Sequence, residues 1–380
     1  MSVYLDWAAS APVRPEVAAA YAEALAVVGN PSSVHAHGRA ARAMLEDARE
    51  RLAAALDAEP VEITFTSGGT ESVNTAIKGL WWASGADGGR GAIVSTPAEH
   101  HATLDALEWL AAQGAEVRLV DVDADARIDL AALESALSAG PVALVTALWA
   151  NNELGTIEHV DEVARIAADA GVPVHWDAVA AFGHTPVSFR GSGAAALSIS
   201  GHKFGAPIGT GALAVRRGAT PVPLIHGGAQ QPARSGTIDV PGAVALALAA
   251  ELAIADLEGE SARLAALQER LEAGIRAAVP DARVSGAGER LPGHVHVVIP
   301  GLLGETLLFL LDQEGYSVSV GSACRAGVAE PSHVLLATGA SEADARATLR
   351  LTLGRTTTQA DVGGFLAVLP SAVERARAAR

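Results

Sequence analysis

The chain holds a single cysteine, Cys324, among 380 residues. One thiol cannot form an internal disulfide, which fits a reducing compartment and makes a cytoplasmic protein the expectation. Long apolar runs are missing too. The longest, VALVTALWA and AVALALAA, fall far short of the ~20 residues needed to span a bilayer. Asp6 interrupts the opening MSVYLDWAAS, so no secretory signal is expected there. Positive charge is scarce: 27 Lys and Arg stand against 43 Asp and Glu, for a formal net charge of -16. Such a surface repels nucleic acid and anionic membrane, which leaves small molecules and proteins as partners. There is no internal repeat, and no low-complexity linker beyond a general richness in alanine.

What the chain does have is apolar content of 50%, ample for a real core, and a length that allows two domains. From about residue 40 to 245, helical periodicity alternates with short β-branched runs. GRAARAMLEDARERLAAAL sets Leu45, Ala48, Leu52 and Leu56 at helical spacing. The runs ITFTS, IVSTP, VRLVDV, VALVTALW, VPVHWDA, LSISG and GALAVRR read as strands. This is the pattern of an α/β protein, a mostly parallel sheet flanked by helices. Beyond Pro241 an Ala/Leu/Glu-rich stretch to about Ala278 reads as helix, and HVHVVIP, SVSV and LRLTLG as later strands. We therefore expect a large domain over 1–245 and a smaller α+β domain over 246–380.

Three turns carry chemistry. In FTSGGTES a strand ends in Gly68 and Gly69 and a helix starts near Thr70. Glycines let backbone approach a ligand, and the free N–H groups of a helix start favour an anion such as phosphate, although a tight turn with a Thr cap has the same sequence. In HWDAVAAFG, Asp177 ends an apolar strand, where open α/β sheets hold ligands. It could cap the next helix, or hold a pyridinium nitrogen protonated and keep that ring an electron sink. In ISISGHKF, Lys203 follows an apolar strand beside Ser200 and His202. A partly desolvated amine there suits Schiff-base chemistry. Cys324 lies in SVGSACRAG, where Gly321, Ser322, Ala323, Ala326 and Gly327 offer no large side chain to bury a sulfur. With Arg325 beside it to favour a thiolate, the stretch predicts a loop presenting an accessible nucleophile.

These turns resemble those of cysteine desulfurases, members of the class V aminotransferase-like, fold type I pyridoxal-phosphate enzymes. The resemblance runs through YLDWAASAPV, GNPSSVHAHGRAA, FTSGGTES, EHHATL, WANNELGT, HWDAV, SGHKF, RSGT, GSACRAGVAEPSHVL and LGR, nearly the whole chain. It implies pyridoxal 5'-phosphate held covalently on Lys203, with Asp177 at the pyridine nitrogen and His100 stacked on the ring to help move protons. Gly69, Thr70, Ser200 and His202 would hold the phosphate, which Thr237 would reach from a partner subunit of a homodimer. Asn152, also against the cofactor, and Arg355 would hold the carboxylate of L-cysteine. Cys324 would take the sulfur as a persulfide for a sulfur-acceptor protein, as in iron–sulfur cluster assembly, leaving L-alanine. No metal is implied. The rivals are another class V reaction (selenocysteine cleavage, C–S lysis, transamination) and a non-catalytic member. Two departures stand out: Ala180 replaces the family's usual Gln, and HGGAQQPARSGT lacks a usual Glu-Arg pair.

Overall fold

The computed structural model describes residues 2–85, 91–321 and 330–379, so Cys324 lies outside the described residues. Its strands in chain order are β1 (Val3–Tyr4), β2 (Ile63–Thr66), β3 (Ala92–Ser95), β4 (Val117–Leu119), β5 (Val142–Leu148) and β6 (Val174–Asp177). There follow β7 (Ala196–Ser200), β8 (Gly211–Val215), β9 (Arg283–Val284), β10 (His294–Val298), β11 (Tyr316–Ser317) and β12 (Thr348–Thr352).

The strands β2 to β8 form one sheet in the order β2-β8-β7-β6-β5-β3-β4. All pairings are parallel except the two that β8 makes with its neighbours. The apolar runs are continuous because helices cover both faces, which buries alternate side chains on either side. On one face Leu45, Leu52 and Leu56 of the helix Ala36–Leu56 meet Val94, Val145, Trp176 and Leu197. On the other, Ile77, Leu80 and Trp81 of the helix Gly69–Ser84 meet Ile93, Leu144 and Leu213. The imidazole buried inside the sheet is satisfied within it. His175, fully buried, bonds Thr146 Oγ1 of β5 and Ser198 Oγ of β7, each at 2.8 Å, tying three strands together. The outer edge of β2 is covered by Gln231, whose amide accepts from Phe65 N and donates to Phe65 O, leaving less backbone free for another strand.

A second core gathers Leu264, Leu271, Ile275, Leu307, Leu311, Leu349, Leu351 and Phe365 around the antiparallel sheet β12-β10-β9. Of the stretch SVSV only Ser317 pairs as strand, in β11; Ser319 adds a single bridge to Arg350. A cut at 245/246 falls inside the 39-residue helix Val240–Ala278. Its first half, through Ala253, packs in the large core and its second, from Leu264, in the small one. Length and hydropathy alone would let this helix cross a membrane, but half of its most apolar window is packed inside the protein. The N-terminus also crosses between the cores, since β1 pairs in parallel with β11 and Leu5 is buried in the second core. Residues that follow Leu5 are thereby drawn across the mouth of the large sheet.

Candidate active site

The carboxyl ends of β2, β3, β5, β6 and β7 open on a cavity of about 410 Å³. Gly69, Thr70, His100, Asn152, Asp177, Ser200, His202 and Lys203 all line it, so most of the residues singled out in the sequence are brought together. Topology explains this. In a parallel sheet every strand-end turn emerges at the same edge, whatever its distance along the chain.

The turn after β2 is shaped by glycine. Gly68 has φ 147°, and a Cβ on Gly69 would sit 2.6 Å from Val179 Cγ2, so a side chain at Gly69 would force Val179 aside. The helix Gly69–Ser84 begins at Gly68 with no side-chain cap, which leaves its first N–H groups for an anion. Glu71 in the same turn is neutralised by Arg234, Nε to Oε1 at 2.7 Å, and receives Ser67 N at 2.8 Å. The altered HGGAQQPARSGT segment thus places Arg234 on Glu71, beside this turn.

Asp177 is 2% exposed and accepts one hydrogen bond, from Val179 N at 3.0 Å. Burial raises its pKa to about 6, offset in part by Val179 N and the charge of Lys203. A buried carboxyl with so little compensation fits a cationic ring nitrogen. Lys203 ends the short turn Gly201–Lys203, and its Nζ donates to Ala8 O at 2.5 Å and Ala9 O at 3.2 Å. Desolvation lowers its pKa to about 8, helped by Arg350 and opposed by Asp6 and Asp177. His100 caps the helix His101–Ala112, with Nδ1 accepting from Ala102 N at 3.0 Å. That bond leaves the neutral ring's proton on Nε2. Desolvation and the charge of Lys203 hold His100 near pKa 4, and the same two causes hold His202 near 4.

Arg355 is not in this cavity. Its guanidinium lies 6.0 Å over the Trp7 ring and donates to Pro12 O at 3.3 Å. It lines a smaller pocket with Arg14, His184, Asp256 and Lys203. The arginine that lines the main cavity is Arg350, 5% exposed, donating to Asn152 O at 2.8 Å and Asp6 Oδ1 at 2.7 Å, with its Nε buried and unpartnered. Register decides between the two. Leu349 and Leu351 face the second core, so alternation turns Arg350 the other way, while Arg355 lies beyond the strand, past Gly354. An arginine inside the buried strand TLRLT was the sequence signal for it. Asp6, Ala8 and Ala9 were legible only as part of a resemblance. Thr237 is exposed and outside the cavity. Ala180 lines the main cavity and also a void of about 30 Å³ beside His184 and Lys203.

A lysine amine, a buried carboxyl beside it with little compensation and an uncapped helix start define a site for an aldehyde cofactor with a basic ring nitrogen and a phosphate. The aminotransferase class-V family model matches residues 3–365. An IscS-like cysteine desulfurase of Mycobacterium tuberculosis (strain ATCC 25618 / H37Rv) is 49% identical, over 99% of this chain and 97% of its own. A cysteine desulfurase IscS of Methanosarcina thermophila is 41% identical, over 99% and 93%. Among solved structures, a NifS-like protein superposes with TM-score 0.91 at 33% identity, covering 99% of this chain and 100% of that one. A structure titled SspA in complex with cysteine gives 0.80 at 31%, covering 93% and 99%. The chain belongs to the aminotransferase class-V family. It has the fold type I architecture, and its cofactor is pyridoxal phosphate.

Proposed function

We propose that this cavity desulfurates L-cysteine: L-cysteine and the Cys324 thiol give L-alanine and a Cys324 persulfide. The chain is a pyridoxal-phosphate-dependent cysteine desulfurase. The observation that carries the reading is the convergence of Lys203, Asp177, His100 and Arg350 on one cavity whose wall includes Gly321, three residues before Cys324.

The residues divide the work. The helix start at Gly69 and Thr70, with Ser200 and His202, holds the cofactor phosphate. Asp177 keeps the ring nitrogen protonated. When bound, pyridoxal phosphate would supply an electron sink for the pair released at the substrate α-carbon. Arg350 and Asn152, both on the cavity wall, take the substrate carboxylate, for which the Arg350 guanidinium has N–H groups beyond those spent on Asn152 O and Asp6 Oδ1. Lys203, with its pKa lowered to about 8, serves as the covalent anchor and, once displaced, as the base at the α-carbon. His100 presents an N–H from Nε2 and supplies a proton. The Cys324 thiolate attacks the substrate sulfur; the Cβ–S bond breaks, its electron pair stays on carbon, and a proton completes the methyl group of alanine.

In a homodimer, Thr237, which is exposed in the single chain, reaches the partner's cofactor phosphate. The persulfide is destined for an acceptor protein, as iron–sulfur cluster assembly requires, in the cytoplasm, the compartment that a single free thiol suits. The test is to incubate the holoenzyme with L-cysteine, measure alanine and map the persulfide by mass spectrometry. Cys324→Ser should still bind cysteine yet form no persulfide; unchanged turnover would refute the role of Cys324.

A further inference from the structure

One buried carboxyl group lies between the two described ends of the segment that contains Cys324. Glu153 follows Asn152 of the cavity wall and is 2% exposed. Its backbone is held from both sides: Asn151 Oδ1 accepts from Glu153 N at 2.8 Å, and His294 Nε2 bonds Glu153 O at 2.8 Å. Its side chain therefore stands at a defined place. Oε2 accepts from Ser332 Oγ at 2.5 Å, and Oε1 lies 3.9 Å from His333 Nδ1. Ser332 is fully buried and caps the helix His333–Ala337 through Leu335 N at 3.1 Å.

The other end meets the same group. Gly321 has φ 86°, and a Cβ there would lie 3.3 Å from Glu153 Oε2. His333 closes the arrangement on the catalytic side. Its Nε2 bonds Glu99 O at 2.9 Å, and its ring lies tilted against that of His101 with centroids 4.8 Å apart, so it packs against both neighbours of His100. Gly321, Ser332 and His333 thus all come close to one side chain that follows the cavity wall. Nothing in the chemistry proposed above uses that side chain.

We propose that Glu153 is a positioning residue for sulfur transfer: it holds Ser332, and with it His333, against the cavity wall beside Gly321, and so fixes described residues on either side of Cys324 in the sequence. The inference rests on the reading that Cys324 receives the sulfur. Its mark is a loss confined to the transfer step, because cysteine binding is the work of Arg350 and Asn152.

The test uses the holoenzyme and two readouts: cysteine binding, followed by the cofactor's visible absorbance, and the single-turnover rate of persulfide formation on Cys324. Ser332→Ala removes one hydroxyl from a small buried residue and should leave the affinity for cysteine within about twofold while slowing persulfide formation about tenfold, the scale of one hydrogen bond to a charged group. Glu153→Gln should do the same, and Ser332→Thr, which keeps the hydroxyl, should recover most of the rate. Persulfide formation at the wild-type rate in Ser332→Ala and Glu153→Gln overturns the proposal, as does a parallel loss of cysteine binding, which would mark a merely structural contact. If the unsubstituted enzyme releases alanine without a Cys324 persulfide, the functional reading fails and takes this one with it.

Discussion

Exchanging Arg350 for glutamine separates the two arginines that compete for the substrate carboxylate. Arg350 lines the main cavity and spends donors on Asp6 Oδ1 and Asn152 O, with other N–H groups left over. A hydrogen bond to a charged group contributes about 1.5–3 kcal/mol, so losing the carboxylate contact should lower kcat/KM for cysteine roughly 10- to 150-fold. Most of that should appear in KM, because the carboxylate is held alike before and during the reaction. A second effect has a definite sign. Arg350 depresses the pKa of Lys203, so its removal raises that pKa and moves the alkaline rise of activity to higher pH. Arg350→Lys keeps the charge but not the two-pronged donor geometry, and should recover the pH profile more than the KM. Arg355→Gln should change kcat/KM less than about threefold, the scale of a partly exposed interaction. Alanine release over a range of cysteine concentrations and pH measures all three. If Arg355→Gln costs more than Arg350→Gln, the assignment by strand register is wrong.

Capture of pyridoxal phosphate by the cofactor-free protein should speed up with pH and level off above about 8, the value to which burial brings Lys203; a rise continuing toward the ordinary lysine range of about 10.4 would contradict the desolvated amine. Asp177→Asn should still bind the cofactor but lower kcat at least about 100-fold, since it removes the charge that keeps the ring nitrogen protonated; near-normal turnover would exclude that role. Ala180→Gln fills space next to the void of about 30 Å³ and should slow cofactor loss on dilution about tenfold, the scale of one added hydrogen bond; faster loss would mean that the void is not available to an amide.

Much of this fold was legible because a sheet covered on both faces is written as short, mostly apolar buried runs, as β3, β5 and β8 are. The strand-end motifs were legible for a related reason: SGGT, the Asp after an apolar strand and the Lys after the next one each carry a local physical demand, for close backbone approach, for a buried charge and for a desolvated amine. What was not legible involves pairing over long separations. A two-residue strand such as Val3–Tyr4 has no periodicity, so its partnership with Tyr316–Ser317, and the placement of Ala8 and Ala9 under Lys203, could not be read along the chain.

By itself, then, the order of residues determined the α/β architecture, a helix start near Thr70, and the placing of Asp177 and Lys203 at neighbouring strand ends, because each of these is encoded within a few residues or one period. Only the tertiary structure decided that Arg350 rather than Arg355 faces the cavity, and that Glu153 bonds Ser332 beside Gly321. Those outcomes depend on which face of β12 the second core covers and on how two units meet, and such relations exist only once distant segments are packed together.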